Sequence, residues 1–298
     1  DFYSPAMGAS SIKPGTIVYD INGHVGIVWK VDKDGRIYYM DAHPDFSVTR
    51  SVYGAQFGQS PPWLGGGFKN WRPFRLIDAH RDANGFLIGG HMAFAQNDQI
   101  ADFSLVQYAG TEDNPKAEVK KAKFYYDGSR LGFYEYVRAA VSGGKMDYNP
   151  VFELQATMKT LCNDMNDRRQ YVDQAIAEGV ENKPHPPHLP ENIYGVADPT
   201  WESYATPSRD ARLRAAFVQF YKDMNNMIQL WIARDPRIVY DGQFLKKDLL
   251  AAYEEQSQAC VLTYLSSDKQ PVTLSFDDMV RDLYGMSFDP YDCVELRW

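Results

Sequence analysis

The chain has 298 residues, of which 44% are hydrophobic and 23% are charged, and these values are ordinary for a globular protein. Its formal net charge of -8 argues against nucleic acid or an anionic membrane surface as the main partner, and it is compatible with a cationic or neutral polymer substrate. No stretch approaches the roughly 18 consecutive apolar residues that a membrane-spanning helix needs. A chain of this length can bury a large core and holds one large domain or two.

The first strong pattern in chain order predicts a β-hairpin at residues 22–45. Apolar residues alternate along Val25–Val31, which is the period of a half-buried strand. The segment 36–42 then returns as a second strand rich in Ile and Tyr. The turn between them contains Asp34-Gly35, and Asp-Gly is among the strongest short signals for a hairpin.

This hairpin carries polar side chains suited to catalysis. His24 is predicted to lie on the face opposite the continuous apolar one, with Gly26 leaving space above the sheet. With a two-residue turn, Asp41 and His43 fall on the same face as His24. Antiparallel neighbours on one face are close enough for hydrogen bonds between side chains. The sequence therefore predicts an imidazole, a carboxylate and a second imidazole on one surface.

The character of the chain changes after the hairpin region. Residues 1–126 are predicted to be a β-rich half, 127–286 a mainly helical insertion or subdomain, and 287–298 a separate C-terminal segment. The strongest helix is predicted at Pro150–Ala177, because apolar residues recur there at spacings of three and four and Pro suits a first turn. Further predictions are a strand at Phe68–Leu76 in which Pro73 suggests an edge or a bulge, helices at Gly132–Val141, Gln243–Gln256 and Phe276–Tyr284, and a helix capped by Ser208.

A proline-rich connection spans Glu181–Pro207. A long ordered loop in a compact protein is usually functional or wraps the surface. Trp201 and Tyr204 are therefore predicted to line a substrate groove. The neighbouring Glu202 suits the general acid of a glycosidase, which also needs a second carboxylate that the sequence does not identify.

The three cysteines are too few, and odd in number, for a disulfide framework, so at least one thiol stays free unless it pairs between molecules. A nucleophilic thiol needs a basic neighbour or a helix N-terminus, because the thiolate is the reactive form. Cys293 follows the turn Phe288–Tyr291, where a helix starting at about Asp292 would supply N–H groups for a thiolate and an oxyanion. Cys162 lies in the long predicted helix and Cys260 begins an apolar run, so both are predicted to be structural.

These residues suggest a set of catalytic roles. Cys293 is the predicted nucleophile and Cys162 the alternative. His24 is the predicted base, and Asp41 or His43 orients its imidazole.

Several stretches resemble the NlpC-type, papain-like cysteine peptidases. Gly23–Val28 (GHVGIV) looks like the family's histidine strand, and Met40–Ala42 (MDA) falls where the family places its third polar residue. Asp292–Leu296 (DCVEL) resembles the nucleophile segment, with Val294 at a position that is usually Ser. The order of histidine, aspartate and cysteine is similar to the circularly permuted branch, which includes lecithin:retinol acyltransferase-like enzymes. Trp71–Pro73 (WRP) looks like the next strand of that branch.

The resemblance implies an α+β fold: an antiparallel β-sheet of permuted papain-like (NlpC-type) topology that carries a large helical insertion. It implies a thiol-dependent hydrolase or acyltransferase in which Cys293 attacks an amide or ester carbonyl, His24 is the base and Asp41 orients it. The substrate that it implies is a peptide bond in cell-wall peptidoglycan, with a lipid or acyl ester second. We expect a secreted or periplasmic location, since the chain starts at Asp1, which a removed secretory signal explains as well as a fragment boundary.

A reading of a different class is a non-catalytic periplasmic or surface protein of the same fold that binds glycan or peptide. An enzyme is expected to have one rapidly labelled thiol, and a binding protein none. His185 and His188 have a spacing that suits a metal, but they lie among prolines without obvious further ligands. The sequence therefore predicts neither a metal site nor a cofactor.

Overall fold

The computed structural model describes residues 1–21, 24–43, 48–112, 122–144, 146–188, 199–204 and 207–298, without the side chains of residues 202 and 207–209. Its contacts divide the chain into two compact units, residues 1–39 with 57–145 and residues 40–56 with 146–298. Helices and antiparallel sheets are both present, so the predicted α+β class is confirmed.

The strands in chain order are β1 (Phe2–Tyr3), β2 (Ile17–Tyr19), β3 (Val25–Val31), β4 (Ile37–Ala42), β5 (Val48–Val52), β6 (Gly67–Trp71), β7 (Phe74–Ile77), β8 (His80–Arg81), β9 (Leu87–Ile88), β10 (His91–Phe94), β11 (Phe124–Tyr126), β12 (Ser129–Leu131), β13 (Val261–Leu265) and β14 (Pro271–Ser275). The helices are α1 (Val106–Ala109), α2 (Phe133–Ser142), α3 (Pro150–Ala177), α4 (Pro199–Tyr204), α5 (Pro207–Ile232), α6 (Leu245–Ala259) and α7 (Phe276–Asp282). None of these helices has the length and apolarity to cross a membrane.

The main sheet of the first unit has the strand order β1-β6-β2-β3-β4. β2 pairs antiparallel with both of its neighbours. In this register Val18 lies opposite Gly26 of β3 and opposite Phe68 of β6. Val18 and Phe68 are buried in the core of this unit. β4 continues into the second unit, where β5 pairs with it. The antiparallel sheet is thus present as predicted, whereas its permuted papain-like topology stays a prediction.

The turn of the predicted hairpin is longer than the two residues assumed from the sequence. The backbone N–H of Asp32 donates to the carbonyl of Arg36, and that of Gly35 donates to the carbonyl of Asp32. These bonds leave a loop of three residues in which Gly35 has a φ of 82°. The two-residue turn predicted from the sequence is therefore wrong, and the loop has one residue more.

The buried face of β3 also differs from the expected one. Val25, Ile27 and Trp29 are exposed, whereas Gly26 and Val28 are buried. The alternating pattern identifies the strand correctly, but Val28 is as apolar as its neighbours. Polarity alone therefore does not specify which face of this strand points inward.

The predicted strand Phe68–Leu76 is two strands in the structure. β6 ends at Trp71 and β7 begins at Phe74, on either side of Pro73. Pro73 has no N–H for a strand ladder, and its carbonyl accepts from the backbone of Ala95. The prediction of one continuous strand with an edge or a bulge at Pro73 is therefore wrong.

The long predicted helix is confirmed with its bounds, since α3 covers Pro150–Ala177. The side chain of Asn149 accepts from the N–H groups of Val151 and Phe152 and caps its first turn. The helices predicted over 132–141, 243–256 and 276–284 correspond to α2, α6 and α7 with shifted ends. The predicted Ser208 cap of α5 lies outside the described side chains. Apolar residues of α3, α5, α6, α7, β13 and the C-terminal segment form one core in the second unit.

The two units do not coincide with the predicted division at residues 126 and 286. Helix α2 belongs to the first unit, where the ring of Tyr136 lies 5.1 Å from the ring of Phe124 in β11. Residues 40–56 belong to the second unit. Composition marks where helices become frequent along the chain, but it does not show against which strands each helix packs.

Candidate functional site

The Asp41 carboxylate is held by two donors within the second unit. It lies near the end of β4, and only 1% of its side chain is exposed. Arg212 of α5 donates from Nη2 to Oδ2 over 2.6 Å, and the Thr49 hydroxyl of β5 donates to Oδ1. Such charge-assisted and neutral hydrogen bonds offset the cost of burying a carboxylate.

His43, the alternative orienting residue, is buried directly beside this carboxylate. Its Nε2 lies 3.3 Å from Thr49 Oγ1 and 3.6 Å from Asp41 Oδ1. Because Thr49 gives its proton to Asp41, its oxygen is an acceptor, and the network assigns the donor role to Nε2 of His43. The structure therefore brings together two of the predicted site residues, Asp41 and His43, through a threonine.

A second carboxyl group lies next to this network. Ser51 of β5 donates to Oδ2 of Asp164 in α3 over 3.3 Å, and Oδ1 of Asp164 is buried without a hydrogen-bond partner in the described part of the chain. Burial raises the pKa of the Asp164 carboxyl well above its usual value, and the negative charges of Asp167 and Asp41 add to this rise. The Ser51 hydrogen bond and the Arg212 charge oppose it. Asp164 therefore keeps its proton to a higher pH than an ordinary aspartate does.

His24, the predicted base, lies in the first unit directly before β3 and is half-buried. Its role as a base stays a prediction.

Cys293, the predicted nucleophile, precedes a short 3-10 helix, Val294–Arg297, and not an α-helix. The thiol is half-buried and donates a hydrogen bond to the Glu295 carboxylate. Backbone and side-chain hydrogen bonds from Ser267, together with this thiol, lower the pKa of Glu295 to about 2. The predicted helix at Asp292 is thus replaced by four 3-10 residues, which give a much smaller dipole than an α-helix of several turns.

Buried Arg168 of α3 fixes the segment that carries Cys293. Its guanidinium donates to the carbonyl of Arg297 over 2.6 Å and to that of Ser287 over 3.0 Å, on both sides of the cysteine. Nε of the same guanidinium donates to Asp210 of α5 over 3.1 Å. One arginine therefore links the cysteine segment to two long helices of the second unit.

The alternative prediction, that Cys162 is the nucleophile, is wrong because Cys162 forms a disulfide and is not a free thiol. Its sulfur is bonded to that of Cys260, and the two Cα atoms lie 5.8 Å apart. The bond joins α3 to the residue that follows α6. All three cysteines lie in the described ranges, so Cys293 is the single free thiol of the chain.

The predicted groove residues lie in α4. Trp201 is buried, so its ring presents little surface to a substrate, and Tyr204 is half-buried with the Lys183 ammonium 5.9 Å from its ring centre. The side chain of Glu202, the candidate glycosidase acid, lies outside the described residues.

His185 of the proline-rich connection is hydrogen-bonded at both ring nitrogens. Nε2 of His185 lies 2.6 Å from Oδ2 of Asp289, and its Nδ1 lies 3.0 Å from the carbonyl of Pro186. The Asp289 hydrogen bond is the main reason why the pKa of His185 is raised above its usual value. With an acceptor at each ring nitrogen, this imidazole is arranged as a charged donor.

Asp41 and His43 present ligand atoms within 4.8 Å of each other, close enough to reach one metal ion. Both Asp41 oxygens already accept from Arg212 and Thr49, however. A divalent cation at Asp41 would lie beside the positive guanidinium. This donor set fits a hydrogen-bonded carboxylate better than a metal ligand.

No protein-family model, curated protein or solved structure matches this chain. The fold and the geometry of these residues therefore carry the functional argument.

Sequence reasoning missed the residues that support the predicted ones. Arg212, Thr49 and Asp164 surround Asp41, and Arg168 anchors the cysteine segment. Charged residues on amphipathic helices, such as Arg212, Arg168 and Asp164, are expected from the sequence to be exposed. A signal was present at Arg168, because it continues the apolar stripe of α3 through Leu161 and Met165 and is buried with them.

Proposed function

We propose that the protein is a thiol-dependent hydrolase or acyltransferase that acts on amide bonds, with peptides of cell-wall peptidoglycan as the substrate class. Cys293 is the nucleophile, His24 the base and Asp41 the residue that orients the imidazole. The observation that supports this proposal most is the Cys162–Cys260 disulfide, which leaves Cys293 as the one free thiol. That residue is also the one that the permuted NlpC-type resemblance selects.

In the proposed reaction, the Cys293 thiol gives its proton to His24, and its sulfur attacks the carbonyl carbon. The carbon–nitrogen bond breaks, and His24 returns the proton to the leaving amine. Water, or an acceptor alcohol or amine, then releases the acyl group from the thioester. The Cys293 thiol donates to Glu295 in the resting structure, so this bond breaks before attack.

Two further features support the proposal and its setting. The donors to Asp41 keep a carboxylate fixed at the end of the hairpin strand, as an orienting residue requires. Disulfides persist in oxidising compartments, so the Cys162–Cys260 bond supports the proposed secreted or periplasmic location.

The second candidate is the non-catalytic surface protein that binds glycan or peptide. The short 3-10 helix after Cys293 favours this candidate, since it supplies fewer aligned N–H groups for an oxyanion than an α-helix does. In this case the free thiol has no chemical role.

The test is hydrolysis of purified peptidoglycan fragments by the full chain, with new amines and products measured by liquid chromatography and mass spectrometry. Wild type is expected to cleave, and Cys293→Ala and His24→Ala to lose at least a hundredfold in kcat/KM. His80→Ala is the matched control, because His80 is an exposed histidine of the same unit. Cleavage that survives Cys293→Ala sinks the thiol mechanism. Retention on peptidoglycan without any cleavage supports the binding protein instead.

A further inference from the structure

Residues 74–94 of the first unit form a β-hairpin arm that the proposed function does not use. Its inner part pairs β7 with β10, with Phe74 opposite Phe94 and Leu76 opposite Met92. Its outer part pairs β8 with β9. No residue of the arm is buried. An isolated two-stranded hairpin is only marginally stable in water, so an arm of this kind gains from a partner that covers it.

One face of the inner part is entirely apolar. Residues that lie opposite each other, and those two apart, point to one face of a ribbon, which places Phe74, Leu76, Met92 and Phe94 together. They are 61%, 49%, 65% and 39% exposed, and the rings of Phe74 and Phe94 stack at 4.7 Å. We call these four residues the arm face. An exposed apolar patch of this kind marks an interaction surface.

The apolar surface continues at the outer end of the arm. Phe86, Leu87 and Ile88 are consecutive, and they are 68%, 55% and 42% exposed. With about 190 Å² for each large apolar side chain, the exposed parts of the four arm-face residues amount to roughly 400 Å² per copy. Two copies that cover each other's arm face would bury about 800 Å², which is the size of a weak, transient contact.

The base of the arm is held in place, which lowers the entropy cost of binding. The Arg72 side chain donates to the carbonyl of Phe2 over 3.0 Å, to that of Ala95 over 2.8 Å, and to the Asn97 side chain. Arg72 thus ties both ends of the arm to the sheet. A preorganised surface needs less ordering when a partner arrives.

The net charge of the arm favours a second copy of the chain over a charged partner. Its charged residues are Arg75, Asp78, Arg81 and Asp82, so the arm is neutral, whereas the chain carries -8. Two copies of an acidic chain repel each other through most surfaces and least where the local charge is zero. An anionic membrane or an acidic partner would need an excess of cations that the arm does not have.

We propose that the arm is a homodimer contact, in which the arm faces of two copies pack against each other about a two-fold axis. A two-fold contact uses the same patch twice, so a flat, apolar and neutral patch is complementary to itself. The inference does not depend on the proposed hydrolase activity.

Sedimentation velocity on the full chain, from roughly 1 to 100 µM, tests the proposal. Wild type is expected to dimerise in this range. Phe74→Ser combined with Met92→Ser is expected to weaken the dimer at least tenfold. Trp63→Ser is the matched control, because Trp63 is 78% exposed in the same unit but lies outside the arm. Circular dichroism confirms that each variant is folded.

Three results would overturn the proposal. They are a wild type that stays monomeric throughout this range, a dimer that survives the double substitution, and an equal loss of dimer in Trp63→Ser. A monomer that binds neutral lipid vesicles through Phe74 and Met92 would also overturn it, and it would identify a lipid surface as the occupant of the arm. Loss of hydrolase activity leaves the sedimentation result unchanged, so the two proposals fail separately.

Discussion

The guanidinium of Arg212 donates to the buried carboxylate of Asp41 over 2.6 Å, although 171 residues separate the two in sequence. This pair joins helix α5 to the end of β4. The exposed fractions of the two side chains are 15% and 1%, so solvent screens the interaction weakly. The pair holds the carboxylate that the proposed mechanism assigns to orientation.

Replacing Arg212 by Met is expected to lower the free energy of unfolding by about 3 kcal/mol, because it leaves a buried carboxylate without its cationic partner. Urea denaturation followed by circular dichroism measures the loss. Asp41→Asn combined with Arg212→Met is expected to cost less than the sum of the two single changes, since the double variant has no unpaired charge. Additive losses would show that the two residues do not interact in solution.

The sequence predicted α3 with its bounds because its signals are local: Pro150 at the start, and an apolar stripe through the helix. The pairing of Asp41 with Arg212 has no local signal, since it depends on how α5 lies against β4. The turn of the hairpin was mispredicted for a different reason. Asp34-Gly35 is compatible with a two-residue turn and with a three-residue loop whose last residue is a glycine with positive φ.

The pairing of the cysteines could not be predicted from the sequence either, because it also lacks a local signal. Nothing in the sequence connects Cys162 with Cys260 across 98 residues, and both read as buried apolar side chains. Cys293 was distinguished from them by the turn before it and by the family resemblance. The exposure of the arm, residues 74–94, could not be predicted from the sequence either. Apolar strands are usually buried in a core, whereas those of the arm lie exposed.

The raised pKa of Asp164 predicts a stability that falls as pH rises. The folded state keeps the Asp164 proton to a higher pH than the unfolded chain, whose carboxyl has a pKa near 3.8. The contribution of this group therefore begins to decline above about pH 4 and continues to decline up to its folded pKa. Asp164→Asn keeps a neutral side chain that still accepts from Ser51, and it is expected to remove this decline. Urea midpoints from pH 4 to pH 8 measure it, and parallel pH profiles for the two proteins would contradict the prediction.

Removing the disulfide is expected to destabilise the second unit. Cys162→Ala combined with Cys260→Ala frees a loop with a sequence separation of 98 in the unfolded chain. A cross-link over about 100 residues stabilises a protein by up to about 5 kcal/mol, and the typical effect is about 2 to 4 kcal/mol. We expect a loss in the typical range by urea denaturation under non-reducing conditions. Cys293→Ala is the control and is expected to change the stability by much less. A wild type with three titratable thiols before reduction would show that the bond does not form.

The contact between His185 and Asp289 predicts a pH-dependent link next to the cysteine segment. The carboxylate raises the pKa of His185, so the folded state binds the His185 proton more tightly than the unfolded chain does. The stabilising contribution is therefore complete below about pH 6.5 and is lost as pH rises through the folded pKa. NMR titration of the His185 ring protons is expected to give a pKa above the value of about 6.5 of an ordinary histidine. Asp289→Asn is expected to bring the His185 value down to that of an ordinary histidine, and an unchanged His185 titration in this variant would show that the contact does not exist in solution.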